Sequence, residues 1–222
     1  MSIPLIHLKR IDSTQDFLER HAELGYCGVL ADCQLFGRGQ RDNRWESACD
    51  SGLWLSAALP VTSLISGMVL QKAMSAVAAI LELHGMPLGI KWPNDLVAWK
   101  SGRLVKLGGV IGKVKYNRMI LGVGLNIWSA PIITDRTIPP ACLKEIYPNI
   151  TSLPTTLKLA RMILNAWENL TDQWEPSFYW PKIGDLIRYD EGEGICEGWL
   201  SDGRLAVRNM SGHLIHLSTS TK

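Results

Sequence analysis

Two apolar runs, residues 104–114 and 119–127, stand on either side of Lys115, Tyr116, Asn117 and Arg118. So short a connection predicts a turn and an antiparallel pair of strands. Glycines interrupt both runs: Gly108 and Gly109 in the first, Gly122 and Gly124 in the second. A glycine inside a strand gives up packing. It marks a bulge or a tight crossing of neighbouring strands, or a place where a ligand lies on the sheet.

The flanking chain alternates strand-like and helix-like segments. Residues 5–11 read as a strand, and Asp12, Ser13 and Thr14 supply caps for a helix running to about Glu23, ended by Gly25. A strand over 28–31 leads into a long polar loop from Gln34 to Ser51. The compact run 53–59, closed by Pro60, predicts a buried strand. Leu64, Met68, Val69, Met74, Val77, Ile80 and Leu83 fall at helical spacing and predict a helix over 64–84. A short strand over 90–92 stops at Pro93, and a short helix is read within 139–147.

Residues 152–174 predict an amphipathic helix with Leu157, Ala160, Ile163, Leu164, Trp167 and Leu170 on one face. Ser152 is its expected cap, with Pro154 in the first turn. The composition then shifts. Pro176 and Pro181 bracket an aromatic linker, followed by β-like segments at 185–189, 194–200, 205–209 and 214–218. Asp202-Gly203 and Ser211-Gly212 supply turns between them. The pattern predicts an α+β chain: a mixed domain over 1–176 and a small all-β domain over 177–222.

With 222 residues and 46% hydrophobic content the chain can bury a sizeable core. Lys and Arg number 23 against 21 Asp and Glu, a net charge of +2. Nucleic-acid binding needs clustered basic residues on one face, so no nucleic-acid partner is expected. The basic stretch from Arg38 to Arg44 is broken by Gly39, Asp42 and Asn43 and reads first as a local anion site. No signal peptide and no apolar stretch of about 18 residues are visible, so no membrane role is expected. Cys27, Cys33, Cys49, Cys142 and Cys196 are widely spaced without a CxxC pattern. That spacing argues against a disulfide framework or zinc site, and for buried thiols in a reducing cytoplasm.

Three motifs carry chemistry. Residues 37–47 interleave glycines with Arg38, Arg41 and Arg44, giving a flexible loop with planar cationic donors. It is either an anion-binding loop or a solvated surface loop, and it is not a Walker loop, because no Gly-Lys-Ser/Thr closes it. Lys91-Trp92-Pro93-Asn94-Asp95 leaves Asn94 and Asp95 at a strand end. Asp95 suits Mg²⁺ between phosphates, although Pro-Asn-Asp is equally good turn chemistry. Lys106-Leu107-Gly108-Gly109 and Gly122-Val123-Gly124-Leu125-Asn126 form the third.

In this order and at these separations, the motifs resemble biotin–protein ligases, also called biotin–acetyl-CoA-carboxylase ligases. The resemblance covers essentially the whole chain, and Lys-Trp-Pro-Asn-Asp is its most specific element. It implies an α+β catalytic domain of the biotin/lipoate ligase type with a mixed sheet, followed by a small SH3-like barrel. The activity implied is ATP-dependent formation of biotinyl-5′-AMP and transfer of biotin to a lysine. The implied partner is the biotin carboxyl carrier domain of acetyl-CoA carboxylase.

By the same resemblance Ser13, Thr14, Gln34, Gly37, Arg38, Lys106, Gly108 and Gly109 bind biotin. Arg41, Arg44, Trp45, Asn94 and Asn126 bind ATP. Lys106, Arg38 and Asp95 are the catalytic set, with Mg²⁺ at Asp95. The family pattern is broken at Gln15, where asparagine is usual, at Gln40, at Asp42-Asn43, and at Gly112-Lys113. Lys100 and Arg103 lie close enough in sequence to compete for the place of Lys106, but the Gly108-Gly109 anchor favours Lys106. Members with an N-terminal winged helix are repressors; this catalytic core begins within the first dozen residues, so a ligase without repressor function is expected, as monomer or homodimer. The alternatives are a lipoate–protein ligase or octanoyltransferase of the same fold, and a binding module without catalysis.

Overall fold

The computed structural model describes residues 3–40, 43–46, 48–61, 69–133, 138–151, 153–170, 179–200 and 202–218. The first half of the chain comprises β1 (Leu5–Ile11), α1 (Thr14–Arg20), β2 (Gly28–Gln34), β3 (Gly37–Arg38), β4 (Arg44–Trp45), β5 (Gly52–Pro60) and α2 (Val69–Glu82). Then come β6 (Gly89–Lys91), β7 (Asp95–Lys100), β8 (Arg103–Lys115), β9 (Arg118–Asn126), α3 (Leu143–Ile146), α4 (Thr156–Glu168) and β10 (Tyr179–Trp180). Four strands close the chain: β11 (Leu186–Tyr189), β12 (Gly192–Trp199), β13 (Leu205–Asn209) and β14 (Leu214–Leu217).

The first ten strands, apart from the β3–β4 hairpin, form one mixed sheet in the order β1-β2-β5-β9-β8-β7-β6-β10. Its centre is the expected pair β8–β9, joined by Tyr116 and Asn117 with φ of 50° and 55°. Positive φ at both central residues is the type I′ geometry that matches the twist of the flanking strands. The last four strands form a separate antiparallel sheet in sequence order. A mixed sheet with helices and a C-terminal antiparallel sheet is the architecture the sequence pattern predicts.

Period-2 alternation decides what each face of the large sheet meets. On β5, Leu53, Leu55, Ala57 and Leu59 point to one face; on β9, Leu121, Val123 and Leu125 do the same. There they meet Ala73, Met74, Val77 and Leu81 of α2 and Leu159, Ile163, Leu164 and Trp167 of α4. Trp167 satisfies its indole N–H on the Ala73 carbonyl at 3.0 Å, tying the two helices together. The opposite face carries Ala58 and Ile120, covered by Leu18 of α1, and by the same alternation the buried polar residues Ser56 and Asn126.

Several elements differ from the sequence expectation. Helix α1 stops at Arg20 and is followed by a 3-10 turn, Ala22–Leu24, before Gly25. Strand β7 differs from the sequence expectation: its apolar stretch is only Leu96 to Trp99, four residues between Asp95 and Lys100, too short to stand out. The loop between Gln34 and Ser51 contains the small hairpin β3–β4. Helix α2 spans Val69–Glu82; residues 62–68 lie outside the described set, and Leu83 is exposed beyond the helix end.

Helix α4 is capped by Thr155, whose hydroxyl accepts from the Lys158 N–H, so Pro154 precedes the cap. Ser152 lies outside the described residues. Leu157, in the first turn, is exposed, and Leu159 is buried with Ala160, Ile163, Leu164 and Trp167. Strand β10, from the expected linker, pairs in parallel with β6 and so extends the large sheet. The cysteine expectation is corrected at one pair. Cys33 at the end of β2 and Cys49 in the following loop are joined by a disulfide, whereas Cys27, Cys142 and Cys196 are free and buried. Sequence spacing does not reveal that the two ends of a loop return to the same strand.

Candidate active site

Helix α1 begins where β1 delivers Asp12 and Ser13 to the polar face of the sheet. Ser13 is extended and its hydroxyl accepts from the Asp16 N–H at 3.3 Å, an N-cap. Asp12 accepts from the Ser13 N–H and pairs with Arg20. Partial burial pushes the Asp12 carboxyl up, but these contacts outweigh it and hold the group below the usual carboxylate range. The cap leaves the Ser13 hydroxyl proton available as a donor.

The next residue, Thr14, is buried against Gln34 from the end of β2. Gln34 Oε1 accepts from the Thr14 N–H at 2.8 Å and from its hydroxyl at 3.0 Å. Ser13, Thr14 and Gln34 form the closed end of a cleft of about 1300 Å³ that runs across the sheet towards the C-terminal strands.

Lys106 and Asp95 meet further along the floor. Strand pairing matches Val97 with Lys106 and Leu96 with Gly108, so Leu107 is an extra residue, a β-bulge. Without it, alternation would put Lys106 and Gly109 on opposite faces. With it, Val105, Leu107 and Val110 all enter the core, while Lys106, Gly109 and Ile111 all line the cleft. Lys106 Nζ lies 2.5 Å from Asp95 Oδ1. Asp95 leaves the Trp92-Pro93-Asn94 turn, where the Trp92-Pro93 bond is cis. Residues 92–94 form a turn, as Pro-Asn-Asp suggests, and Pro93, Asn94 and Asp95 all line the cleft. Neither Lys100, paired with Glu145, nor Arg103 lines the cleft.

The β3–β4 hairpin covers this floor. Trp45 lies over Lys106 with the ammonium 5.5 Å from the ring centroid. Its indole lies against Gly124, where an added Cβ would sit 2.7 Å from Cε2. The indole N–H is buried without a partner. Asn126, on the next inward position of β9, donates to the Ala141 carbonyl at 3.1 Å and leaves its own Oδ1 buried and unpaired. An unpaired buried donor and acceptor beside an aromatic face suit a flat heterocycle carrying both.

Arg38 and Arg44 line the cleft mouth. Arg38 binds both carboxylate oxygens of Asp16, at 2.9 and 3.1 Å, and Arg44 donates to the Leu35 carbonyl and lies over the Phe36 ring. Asn94 is fixed by a bond to the Val110 carbonyl. Gly37 and Gly108 are not on the cleft wall, and Arg41 lies outside the described residues.

Sequence reasoning overlooked Gln15, which lines the cleft, as a site residue. Ser56 also lines it. The signal for Ser56 was present: it ends the Gly-Leu-Trp-Leu-Ser run and faces the same side as Trp54. No group of three or more His, Cys, Asp or Glu side chains able to hold a metal occurs among the described residues. No described helix is long and apolar enough to cross a membrane.

The chain is similar to the biotin–[acetyl-CoA-carboxylase] ligase of Mycobacterium tuberculosis, at 28% identity over 163 residues, 66% of this chain and 54% of that protein. It is 31% identical over 168 residues to the chloroplastic biotin–protein ligase 1 of Arabidopsis thaliana, covering 69% of this chain and 42% of that protein. The chain thus spans about half the length of these curated relatives. Among solved structures, the biotin protein ligase of Aquifex aeolicus in complex with biotin and ATP shares the fold. Its TM-score is 0.77 at 22% identity, covering 97% of this chain and 96% of that one. The model of the biotin/lipoate A/B protein ligase family matches residues 7–127, more than half of the chain and every strand that builds the cleft floor, and the protein belongs to that family.

Proposed function

We propose that the protein is a biotin–protein ligase acting in the cytoplasm, forming biotinyl-5′-AMP and passing biotin to a lysine of a biotin carboxyl carrier domain. The observation that carries this reading is one cleft with two unlike ends. One end offers the Ser13 donor and the Thr14 acceptor, matching the carbonyl and N–H groups of a cyclic urea. The other offers the Lys106 ammonium beneath an indole and an orphan amide oxygen. The relatives named for biotin ligation support the same substrate, and the mycobacterial name supports the acetyl-CoA carboxylase carrier as acceptor.

In the first step the biotin carboxylate attacks the α-phosphorus of ATP and pyrophosphate leaves. Both reactants are anions, so the cation of Lys106 stabilises their approach and the charge on the transition state. Trp45 stacks on the base, and Asn126 Oδ1 accepts from its exocyclic amine. In the second step the acceptor lysine amine attacks the acyl carbon and AMP leaves with the bonding pair. The β3–β4 hairpin covers the mixed anhydride and limits hydrolysis.

Asp95, a single carboxylate beside a lysine, fits a Mg²⁺ ion held mainly by phosphate oxygens and water. Such an ion would supply charge neutralisation on the phosphates. Arg38 serves this site from its place on Asp16, holding the hairpin against α1 at the mouth.

Biotin-dependent exchange of pyrophosphate into ATP tests the first step, and transfer of labelled biotin to a carrier domain tests the second. Exchange driven by lipoate and not by biotin would reject the proposal.

A further inference from the structure

Four nearly inaccessible side chains form a line at the closed end of the cleft: Gln34, Thr14, Ser56 and Gln15, exposed by 9%, 3%, 1% and 5%. Thr14 Oγ1 lies 3.0 Å from Gln34 Oε1 and 2.8 Å from Ser56 Oγ, and Ser56 Oγ lies 3.3 Å from Gln15 Oε1. Backbone groups fix both amides. Gln15 Nε2 faces the Ile120 carbonyl, which only accepts, so the atom facing Ser56 is oxygen. Gln34 accepts from the Thr14 N–H, so its facing atom is oxygen too.

The line therefore holds three contacts between four oxygens, and two hydroxyls bring one proton each. Whichever contact goes without, both protons are consumed internally. Thr14 and Ser56 then present only lone pairs to the cleft. Gln15 creates the shortage: without its Oε1 there are two contacts and two protons. Gly122 makes room for it, since an added Cβ there would sit 2.7 Å from Oε1 and 3.0 Å from Ser56 Oγ.

We propose that Gln15 is a specificity-determining residue that keeps this end of the cleft short of protons and so demands a ligand with N–H donors. The inference rests on the biotin reading above and names what enforces it. A ligand oxygen in place of a ureido N–H would face lone pairs. Turning the Thr14 proton towards it leaves Gln15 Oε1 buried without a donor, or sets Thr14 and Ser56 oxygens against each other. With an apolar residue at 15, Ser56 donates to Thr14 and Thr14 turns freely, while Gln34 keeps the backbone N–H.

The test is calorimetric binding of biotin and of the two cyclic carbamate analogues in which one or the other ureido N–H is a ring oxygen. For the unaltered protein at least one analogue binds weaker than biotin by about tenfold or more. In Gln15→Met that ratio falls towards one, whereas a merely structural role would weaken biotin and analogue alike. Ser56→Ala breaks the same line from its middle and should reduce the ratio too, so it decides the matter if Gln15→Met does not fold. A folded Gln15→Met or Ser56→Ala with the original ratio overturns the inference. Failure of the unaltered protein to bind biotin at all overturns the biotin reading, and this inference with it.

Discussion

At the scale of single residues, the cleft floor depends on Lys106 having a partner that solvent can replace. Asp95 is 18% exposed at its side chain, so water can reach it when the lysine is removed. Lys106→Met should therefore cost little stability, while the rate of biotin-dependent pyrophosphate exchange falls by about 10²–10³. A thermal melt beside the exchange assay separates the two effects. Gly124 makes a different prediction. A side chain there strikes the Trp45 ring at 2.7 Å and must lift it from the floor. Gly124→Val should raise the KM for ATP roughly tenfold through loss of the aromatic platform. Biotin affinity should hold within about twofold, because Thr14 and Gln34 lie at the other end. An equal loss for both ligands would mean that Trp45 does not divide the cleft in this way.

At the scale of elements, the strands whose patterns are continuous were legible from the sequence, and those that depend on a break in pattern were not. The pair β8–β9 and the strand β5 follow from apolar runs and a turn. The bulge at Leu107 leaves no trace, since a run of Leu, Gly, Gly and Val reads equally well in either phase. Strand β7 was not legible because its apolar run is only four residues long, although Ser101-Gly102, with φ of 48° and 77°, is a hairpin turn written in the chain. The site motifs were legible because they are contiguous. The Gln34–Thr14–Ser56–Gln15 line was not, because its members come from three elements. The Cys33–Cys49 link belongs here as well, for it closes the base of the loop that carries the β3–β4 hairpin. Alkylation after unfolding without reductant should modify three thiols, and five after reduction. In the folded protein Cys27 and Cys196 should resist alkylation at pH 8, since burial pushes both thiols up from their ordinary value. Cys49→Ser should lower stability by up to about 3 kcal/mol, read by denaturant unfolding. Five reactive thiols without reductant would show that the link does not form.

At the scale of the whole molecule, the C-terminal sheet is tied to the large sheet by the segment 91–95. Trp92 packs against the small core of Cys196, Leu205, Val207 and Leu217, although its neighbours Lys91 and Asp95 are paired in the large sheet. Its backbone N–H donates to the Trp180 carbonyl, and the Trp180 ring lies where any side chain at Gly89 would stand. From the other side Gln71 of α2 reaches the Gly203 carbonyl at 3.5 Å. The turn that presents Asp95 to Lys106 is thus held from behind by the C-terminal strands, so stability and catalysis should fail together. Trp92→Ala removes a partly buried ring and should cost on the order of 2 kcal/mol, a fall in Tm of about 4–8 °C for a chain of this size. Its exchange rate should drop as well, because the turn that carries Asp95 loses its support. Ending the chain after Pro181 should have the larger effect on both, since it removes every partner of Trp92 in that core. If the shortened chain instead kept its exchange rate, the turn would be shown to hold its shape unaided, and the C-terminal sheet would be left with a role only in the transfer to the carrier.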